Sequence, residues 1–205
     1  MSHLLTYRRV FLRAAAGAAA ALIALPIMPA WATDPAGQLI LDTSADVVEL
    51  MKSKTGLDRQ TGFQHILATR FDLPYMAQSA LGKYWDGTTP QQRARFVKAT
   101  ETAEARAYSE RFGQYGGQSV TVNKVTPRAN GVFEVDSQIN QVNGGAPVKL
   151  RWEVQNRGAG LRITDVKVEG VSMVMTRRSD FSAYIQRNGG TAEALIEELE
   201  ARAGR

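Results

Sequence analysis

Few residues of this chain have the type and setting for chemistry. Cysteine is absent, and outside the first 32 residues His65 is the single histidine. A general base needs an imidazole or a carboxylate held in a cleft with a shifted pKa. His65 instead falls within an amphipathic helical pattern, where an ordinary surface histidine is the better reading. Ser172, in "GVSMV", follows Gly170 at a strand-to-helix turn, as a nucleophile elbow would. Val174 occupies the second glycine position of that motif, and no base accompanies the serine. Asp165 is the acid that stands out, because it sits among apolar strand residues. It is either a base or a carboxylate that hydrogen-bonds a disrupted strand or pairs with an arginine, and the second is favoured. The glycine pairs in "GGQSV" and "NGGAP" lack the lysine and helix start of a phosphate-binding loop. No carboxylates have metal-ligand spacing. We therefore expect no catalytic residue, metal or cofactor.

The N-terminus reads as an address. Arg8, Arg9 and Arg13 lead into the apolar run "AAAGAAAALIALPI", and Ala30 and Ala32 supply the small residues of a cleavage site. Residues 1–32 are thus expected to be a cleaved export signal. "RRVFLR" has the twin-arginine pattern, although a basic leader of the general secretory kind would look similar. Residues 33–205 would form a single domain, of a length that supports one core. The whole chain carries 25 basic and 20 acidic residues, and losing Arg8, Arg9 and Arg13 lowers the net charge from +5 to +2. A chain so balanced offers no footprint for nucleic acid.

The elements that must position any site are helices first and strands after. Apolar residues at three-to-four spacing predict short helices up to Gly82. "TPQQ" then writes a capping box, with Thr89 as N-cap, Pro90 in the first turn and Gln92 as the reciprocal partner, and this helix should run to about Tyr115. Its inward stripe of Phe96, Val97, Thr100, Ala103, Ala107 and Tyr108 is small at the centre, which allows either room for a ligand or close helix–sheet approach. Four strands follow with short turns between them, an antiparallel meander. In the third, Val148, Leu150, Trp152 and Val154 alternate with polar residues. In the fourth, Leu161 and Ile163 have one parity and Val166 and Val168 the other, so a β-bulge is expected at Thr164–Asp165. A bent sheet with helices on its concave side can enclose a pocket.

Phe71–Asp72, Ala80–Leu81–Gly82, Tyr84–Trp85, Thr89–Pro90 with Phe96, and Asp165–Val166 through Glu169–Gly170–Val171–Ser172 together resemble the MlaC or toluene-tolerance family of periplasmic phospholipid-binding proteins. The resemblance runs from about Asp46 to the C-terminal helix. It implies an α+β fold in which a curved four-stranded antiparallel sheet is wrapped by several helices around an apolar cavity, similar in outline to the NTF2 cone. It also implies a periplasmic carrier that shuttles phospholipids between an inner-membrane ABC transporter complex and an outer-membrane lipoprotein complex. On that basis Tyr75, Met76, Val97, Val135, Leu150, Trp152, Val166, Val171, Met173 and Met175 are candidates to line the cavity. Methionine suits a surface that accepts varied acyl chains, although each of these residues could equally be ordinary core. Arg177 and Arg178 are candidates for head-group or partner contact. Family members often carry Asn-Tyr-Arg-Ser where this chain has Thr176–Arg177–Arg178–Ser179, so the rim should be more basic here. The alternatives are a carrier for another lipid, such as a hopanoid, and an enzyme similar to the ketosteroid isomerases with Asp165 as base.

Overall fold

The computed structural model describes residues 34–111, 116–158 and 160–203. The expected export signal and the expected helix end near Tyr115 lie outside them. Helices α1, α3 and α4 each begin at a residue whose side chain accepts a free N–H of the first turn, whereas Thr55 before α2 makes no such bond. The Asp34 carboxylate accepts the Ala36 N–H at 2.8 Å and starts α1 (Pro35–Ser53). After α2 (Gly56–Arg70), Asp72 accepts the Tyr75 N–H at 3.0 Å and starts α3 (Leu73–Leu81), which ends in a short 3-10 turn, Gly82–Tyr84. The capping box before α4 (Pro90–Arg111) is formed in both directions, Gln92 N–H to Thr89 Oγ1 at 3.2 Å and Thr89 N–H to Gln92 Oε1 at 2.9 Å. Among the described residues no helix is long and apolar enough to cross a membrane.

The strands β1 (Ser119–Pro127), β2 (Val132–Asn140), β3 (Val148–Asn156) and β4 (Leu161–Val168) form an antiparallel meander in chain order. The sheet has five strands, not the expected four. The fifth, β5 (Val171–Ser172), pairs Val171 with Val168 and Ser172 with Lys167. Glu169 and Gly170 make the turn with φ of 49° and 84°, the doubly left-handed geometry that closes a two-residue hairpin. Two residues are too few to show an alternation, which is why β5 escaped the sequence pattern.

The bulge lies where the parity change put it. Glu153 pairs with Asp165 and Val154 with Ile163, leaving Thr164 as the extra residue. Its buried hydroxyl is satisfied by the Glu153 side chain at 2.9 Å. A second bulge, at Asn123 in β1, was not foreseen, although Val120 and Val122 differ in parity from Val125 and carry the same signal.

The strands return to helices α5 (Met173–Arg187) and α6 (Ala192–Ala203). The buried apolar residues fall into three separate clusters. One joins α1 to the sheet through Ala36, Ile40, Val122, Val135, Val154 and Ile163. A second is helical, built on Leu81, Phe96, Val174, Phe181, Ile185 and Ile196. A third joins α1, α2 and α4 through Met51, Phe63, Leu67 and Ala105.

Polar contacts pin α6 to α4. Arg95 donates to both oxygens of Glu200 at 2.9 and 2.7 Å, and the two oxygens of Glu193 accept from Arg95 at 2.6 Å and Gln92 at 2.7 Å. Hydrogen bonds from Gln92 and Arg95 hold the Glu193 carboxyl below its ordinary value of about 4.5, and Arg95 does the same for Glu200. A lowered folded-state pKa gives stability that is fully present above the unfolded value and lost as pH falls through the folded one. Acid should therefore loosen α6 first. In hydrogen exchange below about pH 4.5, α6 amides should lose protection while those of β2 and β3 keep theirs; simultaneous loss would mean that the network adds nothing.

Candidate functional site

The sheet presents its inner face in cross-strand rows. Trp152 stands between Val135 and Val166 in one row, and Leu150 between Ser137 and Val168 in the next. The Trp152 indole N–H donates to Ser137 Oγ at 2.8 Å, so the ring's one polar group is satisfied on the sheet itself. Helix α1 covers β1 and β2, while α2, α3 and α5 reach β4. On β3, Val154 is fully buried in the α1–sheet cluster, whereas Trp152 further along the strand is only half-buried. Helix α4 packs instead on α2, α3 and α6. Phe71, Trp152 and Val166 are only half-buried beside the sheet cluster, and Met76, Val97 and Ala103 only half-buried beside the helical one. A small domain ordinarily has one contiguous core; here the sheet and helical clusters are separate. The hydroxyl of Thr100, in the inward stripe of α4, is buried without a hydrogen-bond partner among the described residues.

The structure brings some of the sequence-derived residues together and separates others. Val135, Trp152 and Val166 share one row, with Leu150 in the adjacent one. Val135 is fully buried against α1. Met76 packs on the helical cluster. The Tyr75 ring lies under the Arg157 guanidinium at 4.7 Å, beside the Asp72–Arg157 ion pair of 2.8 Å. Val97 faces a separate groove of about 400 Å³ that it shares with Pro74, Trp85 and Arg93. Met173 is half-buried in the first turn of α5, whereas Val171 and Met175 are 58% and 55% exposed.

The two arginines diverge. Arg177 makes a two-pronged ion pair with Glu104 of α4, one arm at 3.1 Å, and reaches Asp180 at 3.7 Å. Tyr108 lies next to this pair, its phenol pushed up to about 12 by burial and by the Glu104 charge, against the opposing pull of Arg177. The extra basic charge of the Thr-Arg-Arg-Ser segment is thus compensated locally. Arg178 instead lies on the backbone of Gly82, where a Cβ would come within 2.6 Å of its Nε. Sequence reasoning missed Glu104. The signal available was a single acid between Ala103 and Ala105, close to the inward stripe.

Groups with reactive potential are engaged in structural bonds. One Asp165 oxygen accepts the Val166 N–H at 2.8 Å and the Val174 N–H at 3.2 Å, joining the bulge to the start of α5. Ser172 Oγ accepts the Met175 N–H at 3.1 Å as the N-cap of α5. His65 is exposed. Among the described residues no group of three or more potential metal ligands occurs.

Comparison with known proteins places this arrangement. Residues 41–201 match the MlaC protein family. The chain is 24% identical over 135 residues to the intermembrane phospholipid transport system binding protein MlaC of Haemophilus influenzae, covering 64% of this chain and 62% of that protein. It is also 24% identical over 115 residues to the toluene tolerance protein ttg2D of Pseudomonas putida, covering 56% and 53%. The chain thus spans less than two thirds of the length of either relative. A phospholipid-binding protein from Ralstonia solanacearum, solved in complex with a phospholipid, shares the fold with a TM-score of 0.67 at 20% identity, over 82% of this chain and 94% of that one.

Glu104 and Arg177 tie α4 to the first turns of α5. Glu104→Gln should raise hydrogen exchange at the first turns of α5 and lower stability in urea by ~1 kcal/mol, the scale of a partly exposed pair. Unchanged exchange there would show that the pair is incidental.

Proposed function

The chain belongs to the MlaC protein family, as the residues from Phe71–Asp72 onward implied, and from that premise we propose that it is a periplasmic lipid-binding carrier rather than an enzyme. In this reading it takes up phospholipid and exchanges it between an inner-membrane ABC transporter complex and an outer-membrane lipoprotein complex, after residues 1–32 have directed its export. The observation that carries the reading is the divided core. Half-buried Trp152 and Val166 lie beside the sheet cluster, and half-buried Met76 and Val97 beside a helical cluster that is separate from it. In this reading acyl chains lie against Leu150, Trp152 and Val166 on the sheet side and Met76 and Met173 on the helical side. The printed names of the relatives and the phospholipid bound to the Ralstonia protein support the same ligand class.

Energetics supports a shuttle. Removing two chains of ~14 methylenes from water at ~0.8 kcal/mol each is worth roughly 20 kcal/mol. A bilayer offers a similar gain, so the protein must match the membrane and let docking tip the exchange. Asp165, the acid an enzyme reading would need, already receives two N–H groups.

Residues 33–205 purified from a periplasmic extract without detergent should show a stoichiometric adduct in native mass spectrometry that extracts as phospholipid. A polycyclic lipid in its place would redirect the reading to another lipid class. A bare polypeptide mass with no uptake from liposomes would overturn it.

A further inference from the structure

A groove of about 500 Å³ opens on the outer side of α5, against the end of α3 and the turn that follows it. Its walls carry Lys83, Tyr84, Arg178, Ser179, Ser182 and Gln186, with Leu81, Met175 and Ala183 supplying apolar surface. No acid lines it. Neither Lys83 nor Arg178 has a carboxylate partner among the described residues, in contrast to Arg177 one position away. Arg178 rests on the Gly82 backbone, where φ of +59° favours glycine. Lys83 Nζ stands 5.1 Å from the centre of the Tyr84 ring.

The groove does not reach the sheet, since no strand residue lines it. Phe181 and Ile185, on the other face of α5, and Leu81 at the groove floor are buried in the helical cluster, which closes the groove from beneath. We propose that this groove is a docking site for a carboxylate-bearing segment of a partner protein. Charge complementarity selects the partner. Two cations without a carboxylate partner among the described residues ask for anions, and a guanidinium favours the planar, two-oxygen geometry of carboxylate or phosphate. Concavity favours a protein segment over a bilayer, since a lipid surface does not follow a groove, while projecting Asp or Glu side chains do. The hydroxyl and amide groups of Ser179, Ser182 and Gln186 offer hydrogen bonds to a peptide. Met175 supplies an exposed apolar rim, in keeping with interfaces rich in methionine and arginine. The phenol of Tyr84 reports the same field: desolvation raises its pKa, but hydrogen bonds with Gln186 and Ser182 and the Lys83 charge outweigh that and lower it.

The proposal deepens the carrier reading, because a carrier without an energy source needs a place where its partner can engage. The test titrates a hexaglutamate peptide into isotope-labelled residues 33–205 and follows amide shifts. Inorganic phosphate and phosphatidylglycerol vesicles are run in parallel. Saturable, salt-sensitive shifts confined to residues 82–84 and 178–186 are expected with the peptide, with affinity falling about tenfold or more in Lys83→Glu, the loss of one charged hydrogen bond. Lys83 is exposed, so that variant should fold; Arg178→Lys, which keeps the charge, should retain part of the binding. Phosphate binding as tight as the peptide would replace the proposal with a small-anion site. Vesicle binding lost in Lys83→Glu, without peptide binding, would replace it with a membrane contact. No shift with any probe would overturn it. Lipid loading of each variant, read by native mass spectrometry, should stay unchanged, so failure of the docking site and failure of the carrier reading give different results.

Discussion

Two helices hang from one eight-residue strand, and the arrangement of everything else follows from how they are tied to it. The Ile163 carbonyl of β4 accepts the Asp72 N–H at 2.9 Å where α3 begins. Two residues on, beyond the bulge, Asp165 accepts the Val174 N–H where α5 begins. The bulge makes both ties compatible with the sheet: by adding Thr164 it keeps Ile163 and Val166 on one face and turns the Asp165 carboxylate toward α5. Without the extra residue either the apolar row or the cap would point the wrong way. Asp72 adds its own carboxylate to the junction, accepting from Tyr75 N–H and pairing with Arg157 at the β3–β4 turn.

Polar ties at the edges let the interior stay divided. Burial alone would favour collapse of the sheet and helical layers onto each other, since apolar surface left half-covered forgoes about 25 cal/mol per Å². Directional contacts resist this by fixing the helices to one another. Arg95 and Gln92 hold α6 on α4, and Glu104 with Arg177 holds α4 on α5. The helical layer therefore completes a core of its own around Phe96 and Phe181, whose rings meet edge to face at 5.6 Å. On the sheet, Trp152 and Val166 remain half-buried beside the fully buried Val135 and Val154.

The same logic separates an inner surface from an outer one. Phe181 and Ile185 belong to the helical core, and Ser182 and Gln186, on the same helix, belong to an open basic groove. A single helix thus divides a packed apolar interior from an open polar surface.

Much of this was legible before folding was considered, because it is local. The capping box at Thr89 and Gln92 is a four-residue signal. The β4 bulge is a parity change within one strand, and the hairpins follow from turn residues. The Asn123 bulge carried the same parity signal and was overlooked, while β5 is too short to carry any. The family was legible too, since its motifs are continuous stretches. Arg177 and Arg178 mark the boundary of what sequence determines. They are the same residue type, adjacent, in one helix, and about 100° apart around its axis. One turns to Glu104, 73 positions earlier in the chain, and the other lies on Gly82 in the groove. The partner of a charge is chosen by which distant helix lies against it, so only the tertiary structure could decide which arginine is neutralised and which is free to bind.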